Sequence, residues 1–147
     1  MRPIPPLLFL MTILVMLVLD FFLPLGSFLV GPWRRAAYIL GAVGLALPMW
    51  GVLTFRRNNT SVHPGEGHAK TVVTEGPYRF TRNPMYLGMT IILAALAIRL
   101  GTWSPILGVP LFMLLVEHLW IRREERWLTE AFGDSYTQYR QSVRRWL

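Results

Sequence analysis

Long runs of apolar residues alternate with polar segments along this chain. The four apolar runs are residues 7–23, 36–55, 85–100 and 105–120. A helix that crosses the hydrocarbon core of a bilayer takes roughly 20 residues, so the first two runs are long enough and the last two are short. The last two can cross as a tilted helical hairpin joined at residues 101–104. The pattern predicts an all-α integral membrane protein with about four transmembrane helices in a single domain, residues 1–147.

The polar segments predict surface elements. Residues 56–84 form a loop, in which "HPGEGH" is typical of turns and "KTVVTEGPY" of a brief extended piece. After the fourth run the helical pattern continues to Gly133, a typical residue at the end of a helix, and Asp134 or Ser135 is the expected cap of another helix. Both helices of residues 121–147 are amphipathic and rich in aromatic residues, which predicts that they lie at the membrane interface.

Composition and charge agree with a membrane protein. Hydrophobic residues make up 53% of the chain, the mean hydropathy is +0.39, and the formal charge is +7. The arginines flank the apolar runs instead of forming one basic face, which favours anionic lipid headgroups over nucleic acid as the partner. The absence of cysteine excludes disulfides and thiolate zinc sites.

The positive residues predict an orientation. Twelve of the fifteen Lys and Arg residues lie in the N-terminus, the loop at 56–84 and the residues after 120, which share one side if the chain crosses four times. The positive-inside rule therefore predicts a multi-pass protein with both termini in the cytosol, in the cell membrane of a prokaryote or the endoplasmic reticulum of a eukaryote. Arg2 and the first run also fit a signal peptide, but no convincing cleavage site follows, and residues 24–26 indicate a turn.

Carboxylates near the end of the fourth run are the first candidates for chemistry. A carboxylate at membrane depth is costly, so Glu117 predicts either a function or an ion pair with Arg82 or Arg122. Helical spacing of seven residues places Glu117 on one face with Glu124, and His118 on one face with Glu125.

Two of these residues have a purely structural alternative. Glu124 and Glu125 can belong to an exposed helix face with ion pairs to nearby arginines, one of which lies three residues before Glu125. The arginines concerned are Arg122, Arg123 and Arg126. His63 and His68 lie in the glycine-rich loop without other ligands at suitable spacing, so no metal site is expected.

A second candidate is "GPYRFTRNPMYLGM", residues 76–89, at the start of the third run. Pro84 disfavours the helical region for Asn83 and suits the first turn of a helix. Helix N-termini present free N–H groups to anions, so this stretch is either a cradle for an anion or cofactor, or a helix cap whose arginines contact lipid phosphate.

Several motifs in order give the sequence a family resemblance. "KTVVTEGPYRFTRNPMYLGM" followed by "EERWLTEAFGDSYTQYRQSVRRW" resembles the isoprenylcysteine carboxyl methyltransferases and the related membrane phospholipid N-methyltransferases. The shared pattern is Gly-x-Tyr, Arg-(His/Asn)-Pro-x-Tyr-x-Gly, an apolar hairpin, Glu-Glu-x-x-Leu and Phe-Gly-x-x-Tyr-x-x-Tyr. Asn83 stands where the eukaryotic enzymes usually have histidine, and Trp120 lies where they have an arginine, so the chain resembles the bacterial or archaeal members and the acceptor is left open.

The resemblance implies that S-adenosylmethionine binds in a pocket facing the cytosol. The residues that it implies for binding are His63, Lys70, Thr71, Val72, Val73, Tyr78, Asn83, Pro84, Met85, Tyr86 and Glu124. Glu124 and the two tyrosines suit the ammonium and sulfonium of that molecule, and Arg82 suits its carboxylate. The candidate catalytic residues are Arg82, Glu117, Arg122 and Glu125, without a metal.

Three hypotheses follow. The first is methyl transfer from S-adenosylmethionine to a lipophilic acceptor, with a carboxylate such as that of an isoprenylcysteine or another lipid acid favoured. The second is methylation of a phospholipid headgroup amine, for which Glu117, Glu125 or His118 can take the proton. The third is a non-enzymatic scaffold that binds anionic lipid. A transporter is disfavoured, because transport usually depends on two repeats that move relative to each other about a central site, and four short spans without repeat symmetry do not provide such repeats.

Overall fold

Helices form the regular structure of this protein. The computed structural model describes residues 4–28, 31–58 and 71–147, and these contain no strand beyond one isolated bridge between Ser27 and Thr102. The helices are α1 (Pro5–Phe22), α2 (Ala36–Arg57), α3 (Pro84–Leu100), α4 (Gly108–Val116), α5 (Arg122–Phe132) and α6 (Asp134–Ser142). Short 3₁₀ turns lie at Gly31–Arg35, Gly76–Arg79 and Ser104–Leu107. The prediction of an all-α membrane protein is confirmed.

The fourth apolar run and the helical pattern predicted to follow it as far as Gly133 form one continuous helical element. A 3₁₀ turn, α4, a π-helical turn at Glu117–Ile121 and α5 join into one helical element, Ser104–Phe132, of 29 residues. This element, Pro5–Phe22 and Ala36–Arg57 are long and apolar enough to cross a membrane, whereas α3 has 17 residues. The predicted boundary at Trp120 therefore falls inside the π-helical turn.

Prolines and glycines set the limits of the helices that carry the polar motifs. Pro84 is the first residue of α3, where its missing N–H costs nothing, and Asn83 before it has a non-helical φ of −129°. α3 ends at Gly101 and α5 at Gly133, with positive φ values of 78° and 54°. Gly133 also occupies the cap position of α6, so the expected cap at Asp134 or Ser135 is wrong by one or two residues.

The helices α1, α2 and α3 and the element Ser104–Phe132 run in alternating directions between two ends of a bundle. At one end, the N–H of Phe28 donates to the carbonyl of Gly101 at 2.9 Å, and Arg34 donates to the carbonyl of Arg99 at 2.6 Å. At the other end, Ile4 before α1 and Phe55 near the end of α2 line one cavity with the start of α3 and with α5. We call this second end the site end. Among the described residues, it carries the motifs around Asn83, Glu124 and Tyr136.

Small residues let α2 and α3 approach closely and so place the start of α3 at the site end. A Cβ added at Gly88 would lie 2.4 Å from the Cγ and Cδ atoms of Pro48 and 2.7 Å from the carbonyl oxygen of Gly44. Glycine is therefore the residue that fits at this crossing, a packing typical of helices inside membranes. Phe112, Leu93 and Met16 are fully buried and join α4 and α3 to α1.

Candidate functional site

A cavity of about 440 Å³ lies at the site end of the bundle. The segment 71–73, the 3₁₀ turn Gly76–Arg79, the start of α3, and parts of α5 and α6 enclose it. Its volume lies in the range of small-molecule sites in proteins. Most of its wall is apolar or aromatic, and a small number of charged side chains lie among these groups.

The cavity brings together most of the residues that the sequence singled out. Nine of the residues implied for cofactor binding line it: Thr71, Val72, Val73, Tyr78, Asn83, Pro84, Met85, Tyr86 and Glu124. Two others, His63 and Lys70, lie outside the described residues. Among the candidate catalytic residues, Arg82 and Glu125 line the cavity, whereas Glu117 and Arg122 are not part of its lining.

A hydrogen bond between α3 and α5 defines one wall. The hydroxyl of Tyr86 donates to Oε1 of Glu124 at 2.7 Å, and both residues line the cavity. Hydrogen bonds to an ionised carboxylate are stronger than those between neutral groups, so this contact holds the Glu124 side chain in a fixed direction. The alternative in which Glu124 belongs to an exposed face paired only with neighbouring arginines is therefore wrong.

Glu125 lies in a buried ion-pair network. Its residue is 5% exposed, and Nη1 of Arg82 approaches its Oε1 at 2.9 Å. Arg145 donates from Nε to Oε1 at 3.0 Å and from Nη2 to Oε2 at 2.6 Å. Two arginines thus balance one buried carboxylate, and the alternative of an exposed Glu125 is also wrong.

A π-helical turn changes which carboxylates share a face. The turn at Glu117–Ile121 inserts extra backbone into the helix, so the spacing of 3.6 residues per turn fails across it. Glu117 accepts from Nη1 of Arg145 at 2.8 Å and from Nη2 of Arg122 at 3.2 Å. The structure therefore joins Glu117 to Glu125 through Arg145, while Glu124 faces Tyr86. The ion pair predicted between Glu117 and Arg122 is confirmed, and the shared face of Glu117 and Glu124 is wrong.

The turn before α3 is tied to the end of the chain. The N–H of Arg82 donates to the carbonyl of Arg144 at 3.0 Å. Thr81 Oγ1 and Asn83 Nδ2 donate to the carbonyl of Arg145 at 3.1 and 3.0 Å. The Asn83 amide is thus used in holding the backbone. Neither of the two sequence-based interpretations of this stretch included contacts with the end of the chain.

Tyrosines form the wall opposite α3. The hydroxyl of Tyr139 donates to the carbonyl oxygen of Tyr78 at 2.8 Å, and Tyr136 is 2% exposed. Burial raises the pKa of Tyr78, Tyr136 and Tyr139, so their hydroxyls stay protonated and can donate hydrogen bonds at neutral pH.

Sequence reasoning missed part of this site. The cavity residues that it did not assign include Phe55, Trp127, Leu128, Phe132, Tyr136 and Tyr139. The spacing of Tyr136 and Tyr139 in "FGDSYTQY" was a usable signal, because residues three apart lie on one face of a helix. Arg145 was also missed, and its position after α6 gave no local signal for a contact with Glu125.

Comparisons with known proteins agree with the motifs. The model of a family described as phospholipid methyltransferase matches residues 33–135. An uncharacterized protein of Haemophilus influenzae is 46% identical over 63 residues, which cover 43% of this chain and all of that protein. The protein-S-isoprenylcysteine O-methyltransferase of Schizosaccharomyces pombe is 37% identical over 75 residues, which cover 49% of this chain and 30% of the yeast protein. The chain therefore matches less than a third of the yeast relative.

Proposed function

This chain belongs to the phospholipid methyltransferase family, and from that premise we propose that it transfers a methyl group from S-adenosylmethionine to the carboxylate of a lipophilic acceptor. The observation that carries the proposal is the cavity in which the Tyr86–Glu124 pair lies beside Arg82. The family and the yeast relative support membrane methyl transfer in general. The donor, the acceptor and the cytosolic location of the site are the parts that we propose.

The residues of the cavity fit S-adenosylmethionine. Its volume of about 440 Å³ suits a ligand of that size. Glu124 offers a carboxylate for an ammonium or sulfonium group, and the rings of Phe55 and Tyr78, whose centroids are 5.1 Å apart, offer apolar faces. Beside these groups, Nε of Arg82 is buried without a hydrogen-bond partner among the described residues, which suits a carboxylate oxygen of the acceptor. The bound donor would supply a methyl group on a positively charged sulfur.

The chain contributes alignment and exclusion of water. Transfer of a methyl group is an in-line displacement, and holding two reactants in line can supply roughly 7–11 kcal/mol of the barrier in well-oriented models. Glu124 is oriented by Tyr86 for this purpose, and the aromatic wall of α5 and α6 keeps water away from the reacting atoms.

The ion pairs support a carboxylate acceptor over an amine. A carboxylate is already ionised at neutral pH and needs no base, whereas an ammonium must first lose a proton. Oxygens of Glu125 and Glu117 are already engaged by hydrogen bonds from Arg145, so these carboxylates are not placed to take a proton from an ammonium. His118 is exposed and lies with Arg122, Arg126 and Arg140 in a second hollow, which shares Glu125 with the cavity but does not include Glu124 or Tyr86.

The proposed site faces the cytosol. Ten of the thirteen Lys and Arg residues that the structure describes belong to the segments that meet at the site end or follow from it, and positive residues are retained on the cytosolic side. Methylation of a phospholipid headgroup amine is the second candidate, favoured by the description of the matching family. A scaffold that only holds anionic lipid is the candidate from another class.

Incubation with methyl-labelled S-adenosylmethionine tests these candidates. Membranes that contain the protein are expected to incorporate label into a lipid-soluble product, and mild alkali is expected to release it, because a methyl ester is hydrolysed by base. Label that resists alkali and is found in the headgroup fraction would show that the acceptor is an amine and not a carboxylate. If the amount of label does not exceed that in membranes without the protein, methyl transfer is contradicted. The hypothesis of a scaffold that only holds anionic lipid would then remain.

A further inference from the structure

The last residues of the described chain fold back onto the turn that opens the cavity. We call Arg144–Trp146 the C-terminal clasp. Its carbonyl oxygens accept three hydrogen bonds, from the N–H of Arg82 to Arg144 and from Thr81 and Asn83 to Arg145, and these fix the backbone before α3. Nε1 of Trp146 also donates to Oε2 of Glu117 at 3.3 Å. The clasp therefore contacts both the turn before α3 and the π-helical turn that carries Glu117.

The side chain of Arg145 makes the most specific contacts of the clasp. Its guanidinium binds both carboxylate oxygens of Glu125 and reaches Glu117 with its remaining Nη1, at 2.8 Å. The hydrogen bonds with Glu125 raise the pKa of Arg145, so it stays charged. The cavity is lined by Arg82 and Glu125, whereas Arg145 lies behind Glu125 and is not part of the lining.

We propose that Arg145 is a positioning residue that holds Glu125 from behind and thereby leaves Arg82 able to bind an anionic oxygen in the cavity. The inference rests on the proposed methyl transfer and deepens it. Arg82 contacts Glu125 through a single nitrogen, Nη1 at 2.9 Å, while Arg145 uses the fork geometry that satisfies both oxygens.

Arg82 and Arg145 both bind Glu125, and this determines what is expected when Arg145 is removed. Without it, Oε2 of Glu125 loses its partner at 2.6 Å in a site that is 5% exposed. A buried carboxylate requires compensation, so the guanidinium of Arg82 is expected to turn toward both oxygens and away from the cavity. The loss then falls on the step in which the acceptor is aligned and leaves the affinity for the donor at Glu124 and Tyr86 largely intact.

Steady-state kinetics of Arg145→Gln and Arg145→Lys test the inference. We expect kcat to fall by about 10- to 100-fold in both variants, the scale for loss of a buried charged contact. The Kd for S-adenosylhomocysteine is expected to stay within about threefold, since the contacts at Glu124 remain. Lysine cannot restore the rate, because one ammonium does not reproduce a planar fork that binds both oxygens of Glu125 and also Glu117. Arg126→Gln is the matched control, since it removes an exposed positive charge next to Glu125 in sequence.

A double-mutant cycle separates positioning from general destabilisation. If Arg145 acts through Glu125, then Arg145→Gln is expected to lower kcat much less in a Glu125→Gln background than in the wild type. Three results would overturn the inference. The first is a wild-type kcat in Arg145→Lys, and the second is a kcat for Arg145→Gln equal to that of Arg126→Gln. The third is additivity of the two substitutions in the cycle. The wild type separates the two failures: no transfer by the wild type refutes the proposed function, whereas transfer by the wild type with unchanged variants refutes only the role of Arg145.

Discussion

Replacing Glu125 by alanine is expected to lower the free energy of unfolding by about 3–5 kcal/mol. The carboxylate is 5% exposed and balances the guanidinium groups of Arg82 and Arg145 at 2.9 and 2.6 Å. Removing one partner of a buried ion pair leaves the other charges desolvated and uncompensated, which is why the expected cost exceeds that of a surface ion pair. The loss also removes a side-chain contact that holds the end of the chain against α5, because Arg145 donates to both oxygens of Glu125.

Unfolding of the purified protein in mixed micelles with increasing denaturing detergent measures this loss. Glu130→Ala is the matched control, because it removes an exposed carboxylate from the same helix, α5. The control is expected to change the free energy of unfolding by less than about 1 kcal/mol. Equal effects of the two substitutions would show that Glu125 is not part of a buried network.

Glu124→Gln is expected to weaken binding of S-adenosylhomocysteine by about 10- to 100-fold. The Glu124 carboxylate lines the cavity and accepts the Tyr86 hydroxyl at 2.7 Å, so it presents a fixed negative charge to a ligand ammonium. A hydrogen bond to a charged group contributes about 1.5–3 kcal/mol, which corresponds to this range of Kd. Tyr86→Phe is expected to cause a smaller loss, since it keeps the charge and removes only its orientation.

Calorimetric titration of the detergent-purified variants measures both losses. Tyr38→Phe is the matched control for Tyr86→Phe, because Tyr38 is exposed at the opposite end of the bundle, where Arg99 donates to its hydroxyl. The control is expected to bind as the wild type does. A wild-type affinity for S-adenosylhomocysteine in Glu124→Gln would show that Glu124 is not part of the proposed site. Equal losses of affinity in Tyr86→Phe and Tyr38→Phe would show the same for Tyr86.

The sequence predicts the helical class because apolar runs are a local pattern, and it predicts most of the cavity because its ordered motifs resemble those of a known family. Apolar runs mark the helices, Pro84 marks the start of α3 and Gly133 the end of α5. The motif around Asn83 and Tyr86 and the motif around Glu124 each define one wall. The model of the phospholipid methyltransferase family covers 33–135, so it includes both of these motifs.

The sequence could not predict contacts that depend on backbone irregularity or on distant residues. A regular helix places Glu117 with Glu124, and only the π-helical turn at Glu117–Ile121 places it with Glu125 through Arg145. The contacts of Arg145 with Glu125 and Glu117 join residues 20 and 28 positions apart. Hydrophobic periodicity carries no information about such pairs, and the spacing of charges within one helix suggested exposed partners for Glu125 instead.

Photochemical cross-linking of methyl-labelled S-adenosylmethionine to the purified protein tests the central claim most directly. The account predicts label on peptides from residues 71–86 and 120–139, which carry most of the cavity wall. It also predicts that excess S-adenosylhomocysteine abolishes the labelling and that Glu124→Gln lowers it, because both act on the same site. Label confined to other peptides, or label that excess S-adenosylhomocysteine does not displace, would contradict the claim that this cavity binds the methyl donor.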